Sequence, residues 1–177
     1  MAVSCVVIAL VALGSVAPVQ AADGGPGRYQ QAQVGLTYTV YAPTFTAGLK
    51  RTSFALEGCG SGRDEFINAN YGSQGPTLTT WIGMNQSTSG CIDGPDGVGP
   101  AATFTVKGAK VTVMGNCAGG ASVCKTATRR SVLKGGYTTV TLPSGGDGLS
   151  TTFVEVYTQL LTVKQIRAFL NGLHTVQ

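Results

Sequence analysis

From residue 34 the chain alternates apolar and polar side chains at the two-residue period of a strand. Val34, Leu36, Tyr38 and Val40 share one side and Thr37, Thr39 and Tyr41 the other, until Pro43 removes a backbone donor. The period returns at Thr52, Phe54 and Leu56, again at Ile67, Ala69 and Tyr71, and again at Leu78, Thr80, Ile82 and Met84. ATFTV (102–106) and VTVMG (111–115) flank a KGAK turn, the clearest hairpin signal in the chain, which sets Phe104 and Val106 beside Val111 and Val113. Tyr137 to Leu142 and Thr151 to Thr158 read as a second hairpin about a PSGGDG loop.

Helical spacing occurs in two places. Residues 121–134 suggest a short helix that Gly135 and Gly136 would end. Near the carboxyl end Val163, Ile166, Phe169, Leu170 and Leu173 recur on one face, and Thr162 with Gln165 three positions on has the form of a capping box. A helix this short is marginal alone, and burying its apolar side chains stabilises by at most about 1.5–3 kcal/mol each. It must therefore lie on the strands. The pattern predicts an α+β fold with a mostly antiparallel β-sheet and a C-terminal amphipathic helix packed on it.

The first residues change the picture of where this fold works. An apolar run from Val6 to Leu13 leads to Pro18 and a small-residue step at Ala21, which reads as a secretory signal over residues 1–21. Gly14, Ser15 and Pro18 interrupt the run short of the ~20 residues a membrane span needs, so no transmembrane anchor is expected after cleavage. Residues 22–33, polar and rich in Gly and Pro, read as a flexible lead-in, and 34–177 as a single domain. The expected product is secreted and extracytoplasmic.

In such a compartment thiols oxidise. Loss of Cys5 with the signal leaves Cys59, Cys91, Cys117 and Cys124, an even set open to three pairings. Cys59 with Cys91 and Cys117 with Cys124 are preferred, because each loop then closes within a neighbouring Gly-rich segment. Gly115-Asn116-Cys117-Ala118-Gly119 also imitates a cysteine-nucleophile elbow. A thiolate needs a base, however, and the only histidine, His174, lies at the far end of the chain. The disulfide staple is the expected reading.

Two stretches carry a family likeness. YTVYAPTFTAGLK near the start and FVEVYTQLLTVKQIRAFLNGL at the end resemble the opening and closing segments of small extracytoplasmic bacterial domains, the LolA/RseB-like lipoprotein domains. The resemblance implies a curved antiparallel sheet with the helix on its concave side. It also implies lipid or lipopeptide binding in only some relatives, so no functional residue is carried over. Low charge, the signal segment and Gly/Thr-rich strands are similar in style to exported actinobacterial proteins.

Charged residues make up only 11% of the chain and the net charge is +4, too mild to define a partner. Lys125, Arg129, Arg130 and Lys134 would form a basic patch with no aromatic interleaved, so nucleic acid is not an expected partner. Asp93 and Asp96 in CIDGPDGVGP could share a cation, although Asp-Gly pairs are standard turn formers. No cofactor is expected. Asn85-Gln86-Ser87 is a formal glycosylation acceptor. Ser61 in GCGSG lacks the elbow pattern of a serine nucleophile. Glu57 and Glu155 are candidate carboxylates for a hydrolase should they converge.

The expected function is non-catalytic binding of an apolar, lipid-like or cell-envelope ligand, with Trp81, Tyr71 and Tyr137 as the contact surface. The alternatives are a secreted hydrolase built on carboxylates and an exported structural or antigen-like protein.

Overall fold

The computed structural model describes residues 27–58, 65–75, 77–88, 94–122, 124–146 and 148–176. The signal segment, Cys59, Ser61, Cys91 and Asp93 lie outside the described residues.

In chain order the elements are α1 (Gly27–Gln33), β1 (Tyr41–Pro43), β2 (Arg51–Gly58), β3 (Glu65–Gly72), β4 (Trp81–Ser87), β5 (Val98–Val106), β6 (Ala109–Asn116), α2 (Arg129–Lys134), β7 (Gly136–Leu142), β8 (Thr152–Gln159), α3 (Val163–Asn171) and β9 (Leu173–Thr175). Seven strands make one sheet, ordered β2-β3-β4-β8-β7-β6-β5, and β1 pairs separately with β9. Every pairing between named strands is antiparallel. The architecture is α+β.

The two-residue period decides which side of the sheet is core. Ile67, Ile82, Met84, Val154 and Val156 share a face and are buried on it. On that face α3 buries Ile166, Phe169 and Leu170, with Phe169 meeting the Tyr71 ring edge-on at 6.1 Å. The capping box forms as predicted: Gln165 N donates to Thr162 Oγ1 and Thr162 N donates to Gln165 Oε1. The β5–β6 hairpin turns on Lys107 and Gly108 with φ of 46° and 83°. Left-handed conformation at both central residues is what a tight hairpin with right-handed strand twist requires. A short helix forms within 121–134, reduced to α2 and capped by Thr128 with Ser131.

Residues 34–42 depart from the predicted strand. They bury Leu36, Tyr38 and Val40 yet form a strap across the core face, joined to the neighbouring chain by the single Tyr38–Ser150 bridge and β1. Glutamine side chains substitute for a neighbouring strand. Gln33 bonds the Tyr38 carbonyl and the Val40 amide, and Gln86 bonds both the amide and the carbonyl of Tyr41. Tyr38 Oη donates to the carbonyls of Gln86 and Glu65.

The flexible lead-in is corrected for its last seven residues, which are α1. Tyr29 on that helix is buried, its hydroxyl bonded to that of Tyr71 and its ring edge-on to Phe54 at 4.9 Å. Arg51 lies over both the Tyr29 and Phe54 rings. Tyr29, Ala32 and the hydrogen bonds of Gln33 dock a helix that composition alone reads as loose. Leu78 and Leu173 also move: β4 begins at Trp81 with Leu78 exposed, and Leu173 belongs to β9 just beyond α3.

Cys117 and Cys124 form a disulfide, with Cα atoms 5.7 Å apart. The bridge packs against β5 at Gly99, where a Cβ would stand 2.3 Å from Cys124 Sγ. Among the described residues no helix is long and apolar enough to cross a membrane.

Candidate functional site

Antiparallel pairing brings the start of β4, the start of β7 and the end of β8 to one end of the sheet. There Trp81 pairs with Gln159, and Gly136 pairs with Thr158. A half-open cleft of about 170 Å³ occupies this corner. Trp81, Tyr137 and Tyr157 give it aromatic walls, and Gln74, Asn116 and Gln159 bring amides. Gly135 and Gly136 lie on its floor.

Glycine positions make the aromatic arrangement possible. A Cβ on Gly83 would stand 2.7 Å from two carbons of the Trp81 indole, so the ring lies against the backbone of its own strand. A Cβ on Gly94 would come within 3.1 Å of Tyr137 Oη, which places that loop directly beside the phenol. The Tyr137 and Tyr157 rings are 5.0 Å apart and tilted by 48°.

Behind them sits Glu155, 2% exposed, which accepts a 3.0 Å hydrogen bond from Tyr137 Oη. Burial first, and then the nearby carboxylate, raise the Tyr137 phenol well above its ordinary value and push Tyr157 up to about 12. Both phenols are therefore neutral near pH 7 and keep their O–H donors. No charged side chain lines the cleft among the described residues.

The polar ends of three consecutive residues on β8 are shut from solvent without a partner: Tyr157 Oη, Thr158 Oγ1 and Gln159 Oε1. All three residues line the cleft. A buried polar atom left unpaired costs about 1–3 kcal/mol, and folded proteins contain few of them. Tyr157 Oη and Gln159 Oε1 lie on the cleft face of β8, whereas Thr158 pairs with Ile82 and turns its hydroxyl to the core face beside Gly136.

The predicted contact surface separates by strand parity. Trp81 and Tyr137 meet in the cleft. Tyr71 pairs across with Ile82, faces the core and is 4% exposed, so it belongs to packing and is corrected as a ligand contact. Cys117 is tied up in its disulfide, which closes the nucleophile reading. Asp96 is exposed, and among the described residues no group of three or more metal-ligating side chains gathers. Asn85 is buried in central strand β4, out of reach as a glycan acceptor. Glu57 on β2 and Glu155 on β8 are separated by three strand spacings, about 14 Å, beyond the ~5–9.5 Å of paired glycosidase carboxylates.

Tyr157 and Gln159 were missed as site residues, and Glu155 was expected only as a hydrolase carboxylate. The signal was present in FVEVYTQ, where alternation sets Glu155, Tyr157 and Gln159 opposite Val154 and Val156. What alternation does not give is the neighbour: only the pairing of β8 with β4 and β7 brings Trp81 and Tyr137 to them. Compared with protein-family models, curated proteins and solved structures, the chain matches none.

Proposed function

We propose that this is an exported, non-catalytic binding domain whose ligand is a neutral molecule of the cell envelope, seated between Trp81, Tyr137 and Tyr157. The observation that carries the reading is the pair of unpartnered polar atoms on the cleft face of β8, Tyr157 Oη and Gln159 Oε1, at one aromatic-walled cleft. A ligand supplying hydrogen bonds there recovers free energy that the empty protein forgoes. The cleft is smaller than the ~300–1,000 Å³ of sites that enclose a drug-sized ligand, so it holds one ring or headgroup while the remainder of the ligand stays outside. An acyl chain of the kind the LolA/RseB-like resemblance suggests does not fit within it.

Trp81 is the only tryptophan, so its fluorescence reports occupancy directly. Titration with a water-soluble envelope fraction from the source cells is expected to shift its emission saturably. Tyr157→Phe combined with Gln159→Met is expected to weaken that response about tenfold or more. A flat titration with both aqueous and lipid fractions contradicts the reading.

A further inference from the structure

We infer that the cleft selects a saccharide, one neutral sugar ring stacked on Trp81 with its hydroxyls directed at β8; this deepens the binding reading above and rests on it. Three features converge on that chemistry. The lining carries no charge among the described residues, so neither a phosphate nor an ammonium group finds a counter-ion. Gln159 Oε1 only accepts, whereas Tyr157 Oη both accepts and donates, so the complementary ligand presents groups able to do both. Hydroxyls on adjacent carbons meet that demand.

The third feature is the indole. It lies along β4 over Gly83, and a ring face carries the negative side of the aromatic quadrupole. The C–H groups on one face of a sugar are the partner such a surface attracts, while the hydroxyls at the ring edge remain free for hydrogen bonds. A hydrocarbon would satisfy the indole yet leave both cleft-face β8 atoms unpaired, at about 1–3 kcal/mol each. Binding turns the half-buried side chains of Tyr157 and Gln159 so that their polar ends face the ring, the scale of side-chain change common on association.

The test follows Trp81 emission in the intact protein against four probes. These are neutral trisaccharides of glucose, mannose and N-acetylglucosamine, the water-soluble envelope fraction, that fraction after periodate cleavage of its vicinal diols, and a lipid extract in vesicles with or without neutral glycolipid. The inference expects a saturable shift with a trisaccharide or with the untreated fraction, lost after periodate and weakened about tenfold by Gln159→Met. Vesicle binding only where glycolipid is present supports the same chemistry from a lipid-borne source. A response that survives periodate and is not competed by any of the trisaccharides, or vesicle binding without glycolipid, overturns the saccharide and leaves the binding reading standing. No response to any probe overturns both. Gly83→Ala gives a second check: displacing the indole is expected to abolish the shift while the urea midpoint stays close to that of the parent.

Discussion

Gln86 and Gln159 stand on opposite faces of the same sheet, and their surroundings differ in kind. Gln86 is fully buried beneath the strap, where its amide bonds both the N–H and the carbonyl of Tyr41. Gln159 ends in a shut-off Oε1 that bonds nothing, beside Tyr157 Oη in the same condition. On the strap side even the phenols of Tyr29, Tyr38 and Tyr71 have partners. The contrast shows that this fold can satisfy a buried amide or hydroxyl, and the unpartnered ends of Tyr157 and Gln159 are what the binding proposal rests on.

The largest effect should come from breaking the strap side. Gln86→Leu leaves two backbone groups of Tyr41 without partners, and the expected loss is about 3 kcal/mol in urea denaturation, with ligand response unchanged in the fraction that stays folded. Removing the Cys117–Cys124 bridge by a double alanine substitution comes next. Its sequence separation of 7 predicts a loss of about 2.5 kcal/mol on the chain-entropy model, read from the urea midpoint of that variant.

Raising pH probes the strap face through its tyrosine pair. Burial is the main cause that pushes Tyr71 up to about 12 and raises Tyr29 further still. The unfolded phenols lose their protons near 10, so above that pH the folded state holds more protons than the unfolded one. Stability is therefore complete below about pH 10 and falls as pH rises toward 12, by something on the order of 2 kcal/mol from this pair. Urea midpoints between pH 8 and 11.5 check this, and Tyr29→Phe with Tyr71→Phe should make the profile shallower, the raised phenols of Tyr41, Tyr137 and Tyr157 supplying the remainder. Tyr157, also raised to about 12, adds a smaller dependence that Tyr157→Phe removes.

Much of this contrast could be read in the chain before any pairing was known. Period-two alternation located most strands of the seven-stranded sheet, and the Thr162 cap with its apolar stripe located α3. It also placed Trp81 and Tyr137 as candidate contacts. Alternation cannot distinguish a strand that pairs from a strap that bonds glutamines, which is why residues 34–42 looked like an ordinary strand. Nor can it say which strands are neighbours. Tyr71 and Trp81 are ten residues apart, but one faces α3 and the other the cleft because each falls on the opposite parity of its own strand. Composition hid α1 altogether, since Tyr29, Ala32 and the hydrogen bonds of Gln33 anchor it.

The smallest expected effect is also the most telling. Tyr157→Phe keeps the ring and removes an unpartnered hydroxyl on the cleft face, so a group held for a ligand should be lost with a gain in stability. The measurement is the urea midpoint of Tyr157→Phe beside its Trp81-detected affinity for the envelope fraction. The account predicts a midpoint raised by about 0.5–1 kcal/mol in stability together with weaker binding. A variant less stable than the parent, or one that binds as well, would contradict it.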